Sequence, residues 1–335
     1  MNYLYKIIFF HSMTIGILIS ISSTSWFMIW MGLEINLLSL MPLMKSNNKY
    51  AAEASIKYFI VQAMASAILL FSIIFMMNSF KIQSLSSFMS TMMIDSALLM
   101  KMGAAPFHFW FPEVMCGVNW EMGFILMTWQ KIAPMVVLSY TSFIPLFLSM
   151  IIILSSMISS LQSINQTCLR KIFAYSSINH LSWMISAIMN STTIWFYYFI
   201  IYFFMNLSII IIFSKFNIYF INQLNKLFLT NKKIKFLFMQ NFLSLGGLPP
   251  FLGFFPKWLT INFLVNNNFY FLSTMITLFT LISLYMYIRI CFSSFTFNYD
   301  ESIINVFDSI TYLFFFMNFL TLSGMTICLF MFKFL

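Results

Sequence analysis

The sequence has very few charged residues. Only 7% of its 335 residues are Asp, Glu, Lys or Arg, whereas 61% are hydrophobic and the mean hydropathy is +0.91. A water-soluble chain of this length has about a quarter of its residues charged. Too few polar side chains are present to cover a water-exposed surface. The composition therefore excludes a soluble domain, and lipid must be the solvent for most of the chain.

Cysteine is also scarce, which limits the metal and redox chemistry that the chain could perform. Its residues Cys116, Cys168, Cys291 and Cys328 are far apart and form no Cys-x-x-Cys or Cys/His spacing. Neither a metal site nor a disulfide framework is predicted, and we interpret the cysteines as apolar residues packed in helices. Glycine-rich turns that bind dinucleotides or phosphates are absent too. We therefore expect no cofactor on this chain and assign any redox chemistry to partner chains.

Long apolar segments are what the sequence does contain. A membrane-spanning helix needs about 20 mostly apolar residues, and the sequence predicts an all-α, polytopic membrane protein. We predict eleven spans, at residues 4–22, 25–44, 55–77, 88–110, 121–141, 144–164, 169–189, 193–214, 236–263, 269–292 and 309–332. The fourth and ninth contain Gly and Pro, which predicts two broken helices. We treat residues 1–335 as a single transmembrane domain with approximate halves 1–142 and 143–292 and a C-terminal helix, 309–332.

The basic residues are distributed unequally between the two ends of these spans. If the N-terminus lies on side A, side B receives only Lys81 and Lys333, and Lys101, Lys131 and Lys257 fall within spans. Side A receives Lys6, Lys45, Lys49, Lys57, Arg170, Lys171, Lys215, Lys226, Lys232, Lys233, Lys235 and Arg289. This bias follows the positive-inside rule and predicts that the N-terminus faces the matrix or cytoplasm and the C-terminus the opposite side. Because the net charge of +9 arises from these short loops, no nucleic-acid partner is expected.

Three lysines and one glutamate lie within predicted spans. A charge in the hydrocarbon core costs at least about 2.5–3.5 kcal/mol, so such residues are usually functional, paired or hydrated. Glu34 lies in the middle of the second span and is either a buried proton site with a basic partner or a protonated core acid. Lys101 and Lys257 lie beside Gly/Pro breaks, and Lys131 precedes Pro134. Lys101 and Lys131 either contact cavity water at a helix disruption or snorkel to the interface.

Two further titratable residues lie at membrane depth. His180 shares a span with Ser176, Ser177 and Asn179, and this polar set could hold a water wire. A structural histidine fits the pattern equally well. Asp95 precedes Lys101 on the fourth span and either hydrates the break or forms part of a polar interface.

Several segments together resemble a known family. They are WMGLEINLLS, AEASIKYF, KMGAAPFHFWFPEV, MTWQKIAP, LRKIFAYSSINHLSWM and FLSLGGLPPFLGFFPKW, in this order. The chain is similar to the subunit 2 family of mitochondrial NADH:ubiquinone oxidoreductase (complex I), one of the antiporter-like membrane-arm families, in an arthropod-like version. The resemblance covers roughly residues 4–330. The abundance of Phe and Met, 44 and 29 residues, is typical of AT-rich coding as in mitochondrial genomes.

The resemblance implies a fold with antiporter-like inverted repeats and a role in proton translocation across the mitochondrial inner membrane. It implies that Glu34 is the family's buried glutamate, Lys101 its partner, Lys131 a central relay lysine and Lys257 the lysine of the second broken helix. His180 would belong to the central hydrophilic axis. NADH, FMN, iron–sulfur clusters and ubiquinone would bind partner subunits. The expected partners are other membrane-arm subunits and phospholipids, with cardiolipin as a candidate.

Two functions of other classes remain open at this point. One is a free-standing secondary transporter for cations or small solutes, which needs its own substrate pocket and gates. The other is a membrane-arm scaffold that moves no protons. A scaffold gains nothing from the insertion cost of charges within the spans, which favours translocation.

Overall fold

The described part of the chain is built from α-helices. The computed structural model describes residues 4–46, 48–79, 84–141, 144–224, 232–249, 251–295, 316, 318–324 and 326. Within these ranges the α-helices are α1 (Leu4–Ser22), α2 (Trp26–Met44), α3 (Lys49–Ser79), α4 (Ser84–Met102), α5 (Trp110–Gly117), α6 (Trp120–Met127), α7 (Trp129–Tyr140), α8 (Pro145–Ser163), α9 (Leu169–Asn190), α10 (Thr192–Phe216), α11 (Lys232–Gly246), α12 (Phe254–Asn266) and α13 (Tyr270–Phe295).

Seven segments of the described chain are long and apolar enough to cross a membrane. They are Leu4–Ser22, Trp26–Met44, Lys49–Met77, Trp120–Tyr140, Pro145–Ser163, Thr192–Phe216 and Tyr270–Phe292. The predicted seventh span is the 22-residue helix α9, which is more polar. The predicted eleventh span, 309–332, falls largely outside the described residues. The all-α, multi-pass membrane architecture predicted from the sequence is confirmed.

The predicted fourth and ninth spans are the two broken helices. The fourth is α4, an irregular segment at 103–109, and α5. The ninth is α11, a turn that follows Gly246, and α12. Gly103 and Gly247 have φ angles of 75° and 77°, which L side chains rarely adopt, and so each allows the chain to leave its helix. The prediction of two helix breaks at these Gly/Pro segments is confirmed.

The described helices form two compact units, Met1–Ile151 and Ile152–Leu335. In the first unit, α1 packs closely on α2, α3 packs on α2, α4 and α5, and α7 packs on α1 and α4. In the second unit, α9 to α13 pack on one another around buried aromatic rings. Phe213 is in edge contact with Phe173 and Phe238, with ring centroids 5.5 Å apart in both pairs. The boundary falls nine residues after the predicted division at 142, and the single-domain assignment stays a prediction.

Candidate functional site

Lys101 lies in the last turn of α4, where the first broken helix ends. A cation is favoured there because the free carbonyl groups at a helix C-terminus carry partial negative charge. Two side chains satisfy neighbouring carbonyls: Gln62 Nε2 donates to Lys101 O at 3.1 Å, and Trp110 Nε1 donates to Met100 O at 3.2 Å. Lys101 is only 7% exposed. The lysine is thus buried at membrane depth and does not snorkel out of the unit.

Lys131 lies on α7, just after an interruption of the predicted fifth span. The interruption is at Thr128, between α6 and α7, and Thr128 Oγ1 donates to Phe124 O at 2.7 Å. Pro134 has no amide hydrogen and crowds the preceding turn, so it weakens helical bonding upstream of itself. Lys131 is 1% exposed, and its Nζ lies 5.4 Å from the centroid of the Phe111 ring. An aromatic face attracts an ammonium group at this distance.

Lys101 and Lys131 line the same cavity in the first unit. The other residues that line the cavity include Asn36, Gln62 and Gln130. Asn36 and Gln130 exchange two hydrogen bonds of 2.9 Å across α2 and α7. The site therefore places two lysine side chains and three amide side chains around one space. Polar groups of this kind can hold water between the two lysine nitrogens.

Glu34 lies on α2, two residues before Asn36, and is half-buried. The sequence resemblance predicts that its carboxylate pairs with the Lys101 ammonium. Within the described ranges, however, the ion pairs are those of Lys57 with Glu53 and Glu113, at 2.7 and 2.8 Å, and none joins Glu34 to Lys101. The pairing of Glu34 with Lys101 therefore stays a prediction.

Lys257 lies on α12 and reaches back across the second break to the end of α11. Its Nζ donates to Gly246 O at 2.8 Å and to Leu245 O at 3.4 Å. These carbonyls come from the last residues of α11 and have no later helical amide to accept from. Lys257 is 8% exposed, and its Nζ lies 6.0 Å from the Trp183 ring centroid. A buried lysine therefore closes this helix end with hydrogen bonds and with its charge.

His180 lies on α9, one helical turn before Trp183, so both side chains are on the same side of that helix. It is 3% exposed, and its Nδ1 is 2.9 Å from Tyr198 Oη. The imidazole ring also packs 5.0 Å from the ring of Tyr202. Within the second unit, the helix that carries His180 therefore also carries the ring that Lys257 faces.

The polar residues of α9 around His180 are also buried. Asn179 Nδ2 donates to Ser283 Oγ on α13 at 2.8 Å. The hydroxyl groups of Ser176 and Ser177 donate to the carbonyls of Phe173 and Ala174, both at 2.8 Å. Their hydrogens are directed to the backbone, so the oxygens are left to act as acceptors. In the described residues, no group of His, Cys, Asp and Glu side chains is arranged to hold a metal ion.

Comparison with known proteins places this arrangement in a family. The model of the NADH:quinone oxidoreductase/Mrp antiporter transmembrane family matches residues 23–283. The chain is 50% identical to NADH-ubiquinone oxidoreductase chain 2 of Anopheles gambiae over 298 residues, which are 88% of this chain and 87% of the relative. The chain belongs to the NADH-ubiquinone oxidoreductase chain 2 family. The chain 2 protein of Locusta migratoria is 45% identical, over 89% of this chain and 87% of its own length.

Solved structures show that the chain 2 fold is shared with other membrane complexes. A chain of respiratory complex I from Thermus thermophilus superposes with a TM-score of 0.85 at 20% identity, over 96% of this chain and 78% of that one. A chain of the Mrp complex from Dietzia superposes with a TM-score of 0.73 at 15% identity, over 83% of this chain and 58% of that one. The resemblance to an arthropod-like subunit 2 that the sequence motifs predict is confirmed.

Several residues at the two sites of this chain 2 family member have no assigned role in the sequence interpretation. They are Asn36, Gln62, Gln130, Trp183, Tyr198 and Tyr202. Three of them are amides inside apolar helices: Asn36, Gln62 and Gln130. That placement alone could have identified them as site candidates, because an unpaired amide is costly in lipid. Trp183 and the two tyrosines carry no such signal, because aromatic residues are common throughout this sequence.

Proposed function

We propose that this chain is a proton-translocating membrane-arm subunit of NADH-ubiquinone oxidoreductase, complex I. The observation that carries the proposal is the pair of buried lysines, Lys101 and Lys131, that line one cavity. A pure scaffold would gain nothing from two lysines around one interior space, because each adds an insertion cost. Membership in the chain 2 family makes the chain part of an enzyme. The electron carriers NADH, FMN, iron–sulfur clusters and ubiquinone are assigned to partner subunits.

The first unit provides a donor and an acceptor for one proton. Attraction by the Glu34 carboxylate favours the protonated form of Lys101, because opposite charges interact strongly where the effective dielectric is low. When Glu34 is neutralised or moves away, an N–H bond of Lys101 breaks and the proton passes through cavity water to the neutral amine of Lys131. The Asn36–Gln130 amide pair stands at the edge of this path and can orient the water.

The second unit provides a further proton site at Lys257. In the proposed function, Lys257 takes up and releases a proton within the second unit, with His180 as a relay group. Imidazole suits this role because it can accept a proton at one ring nitrogen and release it from the other. The hydrogen bonds from Lys257 to Gly246 O and Leu245 O hold its nitrogen at the end of α11. A conformational change that separates these groups would release the proton.

We assign the chain to the mitochondrial inner membrane on the basis of its insect relatives and its composition. The excess of basic residues on side A supports an N-terminus in the matrix and a C-terminus in the intermembrane space. We expect the partners to be the other membrane-arm subunits and phospholipids, including cardiolipin. The strongly exposed apolar side chains of α1 and α13, such as Leu4, Ile8 and Phe271, suit contacts with either.

Replacement of Lys101 by Met in the assembled complex tests this function. The readout is the ratio of protons translocated to electrons transferred in sealed vesicles, with assembly checked in the same preparation. We expect this ratio to fall in the Lys101→Met variant and to stay normal in the control, Lys45→Met. Lys45 is an exposed lysine at the end of α2. A normal ratio in an assembled Lys101→Met complex would instead support the scaffold function.

A further inference from the structure

Asp95 is a fully buried acid in the first unit, on α4. Its side chain has 0% exposure, and no described residue provides a hydrogen-bond partner for either carboxyl oxygen. The Thr141 hydroxyl at the end of α7 lies nearby, but it donates its hydrogen to Leu138 O at 2.8 Å. An ionised carboxylate without partners is very costly in such surroundings, and a protonated carboxyl is far less so.

The position of Asp95 along α4 places it deep in the membrane. The hydrogen bond from Gln62 to Lys101 O fixes the end of α4 beside the middle of the 31-residue helix α3. Asp95 precedes Lys101 by six residues, which is about 9 Å along a helix. It lies toward the other end of α4, on the same level as the second half of α3. A buried acid at this depth is a proton-site candidate by default.

The helices packed against α4 bring no counter-charge to Asp95. On α3 the charged residues are Lys49, Glu53 and Lys57, all in its first turns and far from this level. The charged residue of α7 is Lys131. It lies ten residues before Thr141, which is about 15 Å along a helix. Tyr140 on α7 is half-exposed and donates to Ile21 O at 3.0 Å. Asp95 therefore forms no ion pair with any described residue.

We propose that Asp95 is a further proton-carrying site of the first unit, beyond the lysine pair. In this proposal the resting carboxyl holds a proton, because no described group stabilises its ionised form. During turnover the O–H bond breaks, and the proton exchanges through water with the amine of Lys101, where an N–H bond forms. Asp95 does not line the Lys101–Lys131 cavity, so this exchange requires water to enter between α4 and α7. The inference rests on the proposed function and adds a proton site toward side B.

Infrared difference spectroscopy of the assembled complex tests this inference. A protonated carboxyl that changes state gives a C=O stretching band between the reduced and oxidised enzyme. We expect Asp95→Asn to lose one such band and to lower the ratio of protons to electrons. Asp95→Glu is expected to retain a shifted band and to restore the ratio. An unchanged spectrum and ratio in Asp95→Asn would overturn the inference.

Two further variants keep the test decisive. Since no described residue is paired with Asp95, Asp95→Met is expected to assemble normally and to lose the same band, even if Asp95→Asn is unstable. Failure of Asp95→Met to assemble would contradict the view that Asp95 is unpaired. Lys101→Met is measured in parallel. If it pumps normally, the proposed function fails, whereas a pumping defect in Lys101→Met with no effect of Asp95→Asn rejects only this inference.

Discussion

The ammonium nitrogen of Lys257 lies 2.8 Å from the carbonyl oxygen of Gly246, on the opposite side of the second helix break. The lysine belongs to α12, and the carbonyl belongs to the end of α11. One side chain therefore both holds the two parts of the broken helix together and carries the charge of the site. A proton that leaves Lys257 would weaken this connection, since hydrogen bonds from charged groups are the stronger ones. Protonation and the geometry of the break are thus linked.

The turn beside Lys257 gives a first prediction, through Gly247. Its φ angle is 77°, and a Cβ there would lie 2.7 Å from Lys257 Cδ. We expect Gly247→Ala to destabilise the protein by about 1–2 kcal/mol because of the left-handed backbone alone, and also to displace Lys257. The matched control is Gly246→Ala, where the nearest atom would be 3.6 Å away. The thermal unfolding midpoint of the purified complex should fall for Gly247→Ala only, and equal midpoints would contradict this account.

The close approach of α1 and α2 gives a second prediction. A Cβ on Gly16 would lie 2.9 Å from Gly32 O, and a Cβ on Gly32 would lie 2.8 Å from Gly16 O. Small residues let helix backbones pack closely in membranes. Gly16→Ala should therefore cost about 1–3 kcal/mol as overpacking and reduce the amount of assembled complex on native gels. Gly123→Ala is the control, because its Cβ would meet the flexible end of Met115. Equal assembly of both variants would count against this packing argument.

The amide pair at the cavity gives a third prediction. Asn36 and Gln130 exchange two hydrogen bonds of 2.9 Å. Polar pairs between membrane helices couple by about 0.6 kcal/mol on average and by at most about 1.7 kcal/mol. A double-mutant cycle with Asn36→Ala and Gln130→Ala, read from unfolding in detergent, should give a coupling near the upper value because both bonds are lost together. Additive single effects would show that the pair is not formed in the membrane.

The sequence predicts much of this fold for a simple physical reason. Lipid requires long apolar helices, so the spans are visible in composition, and the Gly and Pro residues near Lys101 and Lys257 mark the breaks directly. Tertiary relationships are not visible in the same way. Nothing local indicates that Lys101 and Lys131 face one cavity, or that Lys257 reaches back to Gly246. The interruption at Thr128, ahead of Pro134, likewise depends on how α6 and α7 pack.

The Glu34–Lys101 relationship shows the limit of charge patterns. A sequence with few buried charges suggests that opposite ones pair, but within the described residues no ion pair joins Glu34 to Lys101. Their separation depends on the packing of α2 and α4 in the first unit, which the sequence alone does not determine. The cavity residues Asn36, Gln62 and Gln130 are equally hard to group from the sequence, because they lie on three different helices.

The most direct test of the central claim is the proton-to-electron ratio of assembled complexes that carry Lys131→Met or Lys131→Arg. Arginine keeps the positive charge but cannot release a proton in a protein. If Lys131 carries protons through the cavity, both variants should transfer electrons with a lowered ratio of protons to electrons. The ratio of Lys131→Arg should be no higher than that of Lys131→Met. If Lys131 serves only as a fixed charge, Lys131→Arg should pump normally. A normal ratio in Lys131→Met would contradict the account altogether.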